Sequence, residues 1–199
     1  MTARIAVLAS GGGTNLQAIL DFNARQQAAA SGEVVLVASN LESAGALRRA
    51  RAAGVSAEHF EAADDGSALL ELLKRYAIEL VVLAGYLKRV PPIVIDAFDG
   101  RILNIHPALL PAFGGAGMYG AKVHSAVIAS GATTTGVTVH LVNNDFDSGP
   151  IIAQWRVSVK PNDTPESLAH RVLAVEHQLY PRVVDMVAAL NSFDHFAHI

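Results

Sequence analysis

Glu79-Leu-Val-Val-Leu-Ala84, running straight into Gly85-Tyr-Leu-Lys-Arg-Val-Pro-Pro92, decides the fold. An unbroken apolar run with no polar alternation predicts a strand covered on both faces, as in a parallel sheet flanked by helices. Gly85 ends the run, Lys88 and Arg89 make the following loop basic, and Pro91 or Pro92 can open a short helix through Phe98. Outward from this run the same alternation repeats. Towards the N-terminus, Arg4–Ala9 predicts a strand, Ser10-Gly-Gly-Gly-Thr-Asn15 a loop, and Leu16–Phe22 a helix. Glu33–Ser39 predicts a second strand, Glu42–Ala53 a helix stopped by Gly54, Val55–Phe60 a weaker strand, and Ser67–Tyr76 a helix. Towards the C-terminus, Arg101–Ile105 predicts a fifth strand and Ala121–Ala129 a helix. Thr133–Val142 alternates, with Val137, Val139 and Leu141 on one face, and with Ile151–Val159 it predicts an antiparallel pair joined through Asn143–Pro150. Thr164-Pro165-Glu166 caps a long helix to Leu190 that contains Pro181.

Alternating strand and helix predicts an α/β fold, a doubly wound and mostly parallel sheet, with the antiparallel pair and the long helix at its C-terminal end. With neither internal repeat nor linker, residues 1–199 are expected to form one domain. A hydrophobic fraction of 51 % excludes a disordered chain, yet no apolar run approaches the roughly 20 residues of a membrane helix. A net charge of −3 argues against nucleic-acid or membrane partners, which require a basic surface. With no cysteine there is no thiolate chemistry and no soft zinc ligand, and the N-terminus lacks a signal-peptide layout, so the cytoplasm is the expected compartment.

Four constellations can carry chemistry. In Ser10–Asn15 the glycines allow close backbone approach, and the helix behind offers free N–H groups and a positive dipole. No Gly-Lys-Ser/Thr follows, and Leu16 stands where a dinucleotide motif needs its third glycine, so a monophosphate suits the loop better than a pyrophosphate. No acidic residue ends the second strand, where Asn40 stands, which weakens a nicotinamide-dependent reading. In Arg101-Ile-Leu-Asn-Ile-His-Pro107 the amide of Asn104 and the imidazole of His106 alternate with apolar residues and so share a side. Such a pair can hold an oxyanion, and a carboxylate from Asn143-Asn-Asp-Phe-Asp-Ser-Gly-Pro150, with Asp147 the candidate, would orient and charge the imidazole. A strand-end cap is the structural alternative. Lys88-Arg89 suits an anionic ligand tail, or is a solvated pair of charges. Glu176-His177 lies on the last helix. The chain has eight histidines but no His-x-x-x-His pattern: His59, His195 and His198 read as surface residues and His170 and His177 as helix-face residues, so no metal site is expected.

Asn104-Ile-His-Pro-Ala-Leu-Leu-Pro111 with Asp147-Ser-Gly-Pro150 resembles the formyltransferases that use 10-formyltetrahydrofolate. Ser10–Asn15 and Glu176-His-Gln-Leu-Tyr-Pro181 are similar to the branch that formylates glycinamide ribonucleotide, and the likeness spans essentially the whole chain. The resemblance implies a Rossmann-like formyltransferase fold, with Asn104, His106 and Asp147 catalytic. It implies ribonucleotide contacts at Gly12, Gly13, Thr14, Asn15 and Glu176. It implies folate contacts at Lys88, Arg89 and Val90, and along His140, Asn144 and Asp145. The co-substrate is then 10-formyltetrahydrofolate, no metal is needed, and the protein is a monomer or homodimer acting on small molecules. Gly114 stands where the family often has proline, and the loop to Gly120 is long, which leaves open whether Met118, Tyr119 or Lys122 meets ligand. Other formyltetrahydrofolate enzymes are the near alternatives: a transformylase of initiator tRNA or a hydrolase, each expected to need a further domain for which 199 residues leave no room. A non-catalytic phosphate-binding module is the alternative of another class.

Overall fold

The computed structural model describes residues 2–62 and 65–190, so the histidines at 195 and 198 lie outside the described residues. Its first half runs β1 (Ala3–Leu8), α1 (Thr14–Gln26), a 3₁₀ turn (Gln27–Ala29), β2 (Gly32–Ser39), α2 (Gly45–Ala52), β3 (Ser56–His59) and α3 (Ser67–Arg75). The second half runs β4 (Leu80–Leu83), α4 (Pro92–Ala97), β5 (Ile102–His106), α5 (Ala121–Ala129), β6 (Thr134–Leu141), β7 (Ile151–Ser158) and α6 (Pro165–Ala189). The strands form one sheet in the order β3-β2-β1-β4-β5-β6-β7. All pairs through β4–β5 are parallel, and β5–β6 and β6–β7 are antiparallel.

The apolar strands are buried from both sides. In β1, Ile5 and Val7 join a core under α1, α2 and α6, whereas Ala6 and Leu8 join a second core under α3 and α4. The same division sends Leu80 and Val82 one way and Val81 and Leu83 the other. This is the physical content of the unbroken apolar run. A third cluster packs α5 and the N-terminal half of α6 on Val137 and Val157 of β6 and β7. In β6 the alternation is masked by burial of both faces: from Thr135 to Leu141 every residue is buried. Among the described residues no helix is long and apolar enough to cross a membrane.

Two of the boundaries that differ from expectation do so for a clear local reason. α2 begins at Gly45 and not Glu42, because Leu41 to Ala44 make a turn that brings the helix end against the glycine loop. A Cβ on Gly45 would lie 3.1 Å from Gly12 Cα. β5 runs one residue further, since His106 still pairs with Thr138. α6 runs as one helix through the buried Pro181, as expected. Its start is as read: the Thr164 hydroxyl accepts from Ser167 N–H at 3.2 Å, and the Ser167 hydroxyl accepts from Thr164 N–H at 3.0 Å.

Candidate active site

The sheet order reverses at β1, which has β2 on one side and β4 on the other. Ligands of open α/β sheets bind beyond the strand ends at such a point. There a cavity of about 640 Å³ opens, a size suited to organic ligands. Its wall includes Asn15, Gly85 to Val90, Asn104 to Pro107, His140, Asn143 to Asp147, and Glu166, His170 and Glu176 of α6.

The polar cluster is built from three segments. Asn104 and His106 belong to the C-terminal half of strand β5. Antiparallel β6 sets His140 opposite Asn104. The loop leaving β6 then returns Asp147, in the left-handed region with φ 55°, over both. Asp147 Oδ2 lies 3.5 Å from His106 Nδ1 and Oδ1 lies 3.6 Å from His140 Nε2. The Gly115 N–H donates to Oδ2 at 2.9 Å. Gly149 is required by close approach: a Cβ there would sit 1.9 Å from the Leu141 carbonyl oxygen.

The hydrogen bonds assign the tautomers. His106 Nε2 lies 2.8 Å from the Phe113 carbonyl, which only accepts, so Nε2 carries a proton and Nδ1 is the nitrogen left for chemistry. His140 Nδ1 likewise faces the Leu141 carbonyl at 2.8 Å, leaving Nε2 to accept from the Asn104 amide at 3.0 Å. One Asn104 N–H remains for a ligand. The electrostatics are a contest. Burial lowers the His106 pKa below its usual 6.5, and the attraction of Asp147 and the Phe113 carbonyl, which raise it, do not overcome this. Burial pushes the Asp147 carboxyl up, but the neighbouring His140 and His106 imidazoles and the Gly115 N–H outweigh it and hold the pKa below 3.8. The free site therefore pairs an ionised carboxylate with an imidazole reluctant to charge.

A second polar station joins α1 to α6. The Asn15 amide donates to Glu176 Oε2 at 2.6 Å, and both residues are buried. Burial raises the Glu176 pKa and the Asn15 bond only partly offsets it, while Asn15 Oδ1 has no partner. Gly12, Gly13 and Thr14 do not line the cavity. They form the loop leading to Asn15, with Gly12 and Thr14 exposed and Gly13 buried at φ 75° as the N-cap of α1. No side chain caps this helix, so its first N–H groups stay available. Lys88 and Arg89 are exposed on the opposite loop, Val90 is buried, and the Arg89 guanidinium donates to the Asn144 carbonyl. Asn144 and Asp145 are exposed at the cavity wall. Met118 and Tyr119 line it; Lys122 does not, and its ammonium lies 4.8 Å from the Tyr119 ring centroid. His59 is exposed, as expected; His170 and His177 lie on α6, as expected, the first exposed and the second half-buried with Nε2 unpartnered.

Several supports were not anticipated. The Thr138 hydroxyl donates to the Ala108 carbonyl at 2.6 Å and accepts from Leu110 N–H at 3.0 Å, bolting the turn after His106 to β6. The Ser10 hydroxyl donates to Asn40 Oδ1 at 2.7 Å and accepts from Leu87 N–H at 3.0 Å, tying together the loops after β1, β2 and β4. His124 on α5 lines the cavity with its Nδ1 buried and unpartnered. Its only sequence signal is a lone histidine on an apolar helix face.

The formyl transferase family model matches residues 3–184. A phosphoribosylglycinamide formyltransferase of Bacillus subtilis is 34 % identical over 195 residues, covering 95 % of this chain and 96 % of the relative. A chloroplastic phosphoribosylglycinamide formyltransferase of Arabidopsis thaliana is 47 % identical over 191 residues, covering 92 % of this chain. This chain spans 65 % of that plant protein's length, and 60 % of its Vigna unguiculata counterpart's. Among solved structures, glycinamide ribonucleotide transformylase 1 from Symbiobacterium toebii superposes with a TM-score of 0.85 at 44 % identity, covering 94 % of this chain and 88 % of that one.

Proposed function

Because the chain belongs to the formyl transferase family, we propose that it moves the formyl group of 10-formyltetrahydrofolate to the amine of glycinamide ribonucleotide. The products are N-formylglycinamide ribonucleotide and tetrahydrofolate, a step of purine biosynthesis. The observation that carries the reading is the meeting of Asn104, His106 and Asp147 on one cavity whose wall also holds Asn15 and Glu176 and the Lys88–Val90 loop.

The ribonucleotide phosphate rests on the Gly12–Asn15 loop, where unpaired N–H groups and the α1 dipole favour an anion. Glu176 accepts from the ribonucleotide's hydroxyls. The folate lies along Lys88, Arg89 and Val90 on one side and His140, Asn144 and Asp145 on the other. The amine attacks the formyl carbon, and the carbonyl oxygen becomes an oxyanion between the free Asn104 N–H and His106 Nδ1. That second negative charge, added to Asp147, tips the buried imidazole towards its protonated form. Asp147 takes part in passing the proton shed by the amine to folate N10, and collapse of the adduct then breaks the C–N10 bond. The catalysis is positioning and electrostatics, and no step calls for a metal or a covalent enzyme intermediate.

Residues 1–199 act in this reading as a single formyltransferase domain, monomeric or homodimeric, in the cytoplasm. The test is incubation of purified protein with both substrates, following tetrahydrofolate by absorbance and the formylated ribonucleotide by mass spectrometry. Formate release without formyl transfer would mark a hydrolase, and the absence of both would overturn the proposal.

A further inference from the structure

We infer that Arg49 of α2 is a positioning residue that holds the glycine loop open as an anion cradle. The inference rests on the reading that this loop receives the ribonucleotide phosphate. Arg49 Nε–H donates to the Gly12 carbonyl at 2.8 Å, and its Nη1 donates to Gln17 Oε1 of α1 at 3.1 Å. One turn earlier, Ala46 N–H donates to the Gly11 carbonyl at 3.1 Å. In a planar trans peptide the C=O and the following N–H point in opposite directions. Drawing the carbonyls of Gly11 and Gly12 onto α2 therefore turns the N–H groups of Gly12 and Gly13 to the far side of the loop. The Gly13 carbonyl accepts from Gln17 N–H at 2.9 Å, which turns the Thr14 N–H outward in the same way. Successive N–H groups presented together make a concave site for an anion.

Backbone N–H groups hold the Gly11 and Gly13 carbonyls, and Arg49 is the side chain that holds the one between them. The loop's N-cap, Gly13, is left-handed and carries no side chain to cap the helix. It lies flush on α2, since a Cβ at Gly13 would fall 2.7 Å from Ala46 Cα. Three successive glycines are costly to order, and a single guanidinium joins the loop, α2 and α1. The planar fork of Arg49 can meet both acceptors at once, which a lysine ammonium cannot do with the same geometry. Arg48, next to it on α2, is exposed and serves as a control for net charge.

The experiment compares wild type, Arg49→Met, Arg49→Lys and Arg48→Met. It reads kcat, both KM values and the calorimetric dissociation constant of ribose 5-phosphate. Both Arg49 variants are expected to raise the ribonucleotide KM and the ribose 5-phosphate constant by about tenfold, the loss of roughly one charge-assisted hydrogen bond. Their kcat and folate KM stay within about twofold of wild type, and Arg48→Met is unchanged. Wild-type affinity in Arg49→Lys, or an equal loss in Arg48→Met, would show that charge alone matters and would sink the inference. A fall in kcat with unchanged KM would do the same. If Arg49→Met fails to fold, Arg49→Lys decides. Should wild type bind ribose 5-phosphate no more tightly than ribose, the phosphate reading itself fails; binding and turnover that ignore Arg49 would refute only the bracing.

Discussion

Asp147 is partly buried yet keeps close polar company. Its oxygens face two histidines and one backbone N–H, and its own backbone sits at φ 55°. Asparagine tolerates that conformation, so Asp147→Asn removes charge without breaking the turn. Turnover is expected to fall by about 10²–10⁴, the range for losing a positioned proton-transfer group. Asp147 raises the His106 pKa, so in the variant His106 should titrate at lower pH than in wild type, read by NMR of the imidazole carbons. An unchanged His106 titration would mean the two are not coupled. Glu176 presents the opposite case. Burial raises its pKa, so an ionised carboxylate there costs stability at neutral pH. Glu176→Gln keeps an acceptor for Asn15 and removes that cost. Thermal denaturation should shift upward, by roughly 2–4 °C for each kcal/mol relieved, while the ribonucleotide KM rises.

Among the elements, α6 does the most to hold the site together. Its N-terminal half lines the cavity, and its middle packs on the central strands. Fully buried Tyr180 places its hydroxyl 2.9 Å from the Leu83 carbonyl and 3.2 Å from the Leu103 carbonyl. The Leu83 carbonyl ends β4 just before the Gly85 loop, and the Leu103 carbonyl immediately precedes Asn104 within β5. Tyr180→Phe is expected to destabilise by about 1–3 kcal/mol, the cost of buried polar groups losing their donor. Denaturant titration measures it, and a change within about 0.5 kcal/mol would show that the carbonyls have other partners. α2 and β6 act in the same manner on smaller segments, through Arg49 on the glycine loop and Thr138 on the turn after His106.

At the scale of the whole molecule, stability should depend on pH in a direction set by its buried histidines. Burial lowers the pKa of His106 and, together with the charge of nearby His106, that of His124. The unfolded chain binds these protons from pH 6.5 downward and the folded chain resists them, so stability falls as pH drops below 6.5. Glu176 works the other way: its folded pKa is raised, so it favours the folded state as pH falls towards 4.5. Urea midpoints should therefore be lower at pH 5.5 than at pH 7.5, and the drop should be larger in Glu176→Gln. An equal or smaller drop in the variant would show that Glu176 does not offset the histidines.

Local chemistry settles a good part of this protein. Leu80–Leu83 had to be covered on both faces because it contains no polar residue, and alternation along β5 put Asn104 and His106 on one side before any partner was known. Gly54 as a helix stop and Thr164-Pro165 as a helix start follow from backbone dihedrals and capping alone. The doubly wound sheet follows from the alternation of such segments. The rest depends on contacts between residues far apart in sequence. Asp147 reaches His106 because β6 runs antiparallel to β5 and the tight turn at Gly149 folds the loop back, a register that no local pattern encodes. The charge preference of His106 is the outcome of burial against a carboxylate, and burial exists only once α5, α6 and the 113–120 loop have closed over the strand ends. Ser10, Thr138 and Arg49 are ordinary polar residues by composition. They brace the site because the tertiary fold brings a carbonyl, a hydroxyl or an amide within 3 Å or so of each, where a hydrogen bond outweighs the entropy of holding a loop still.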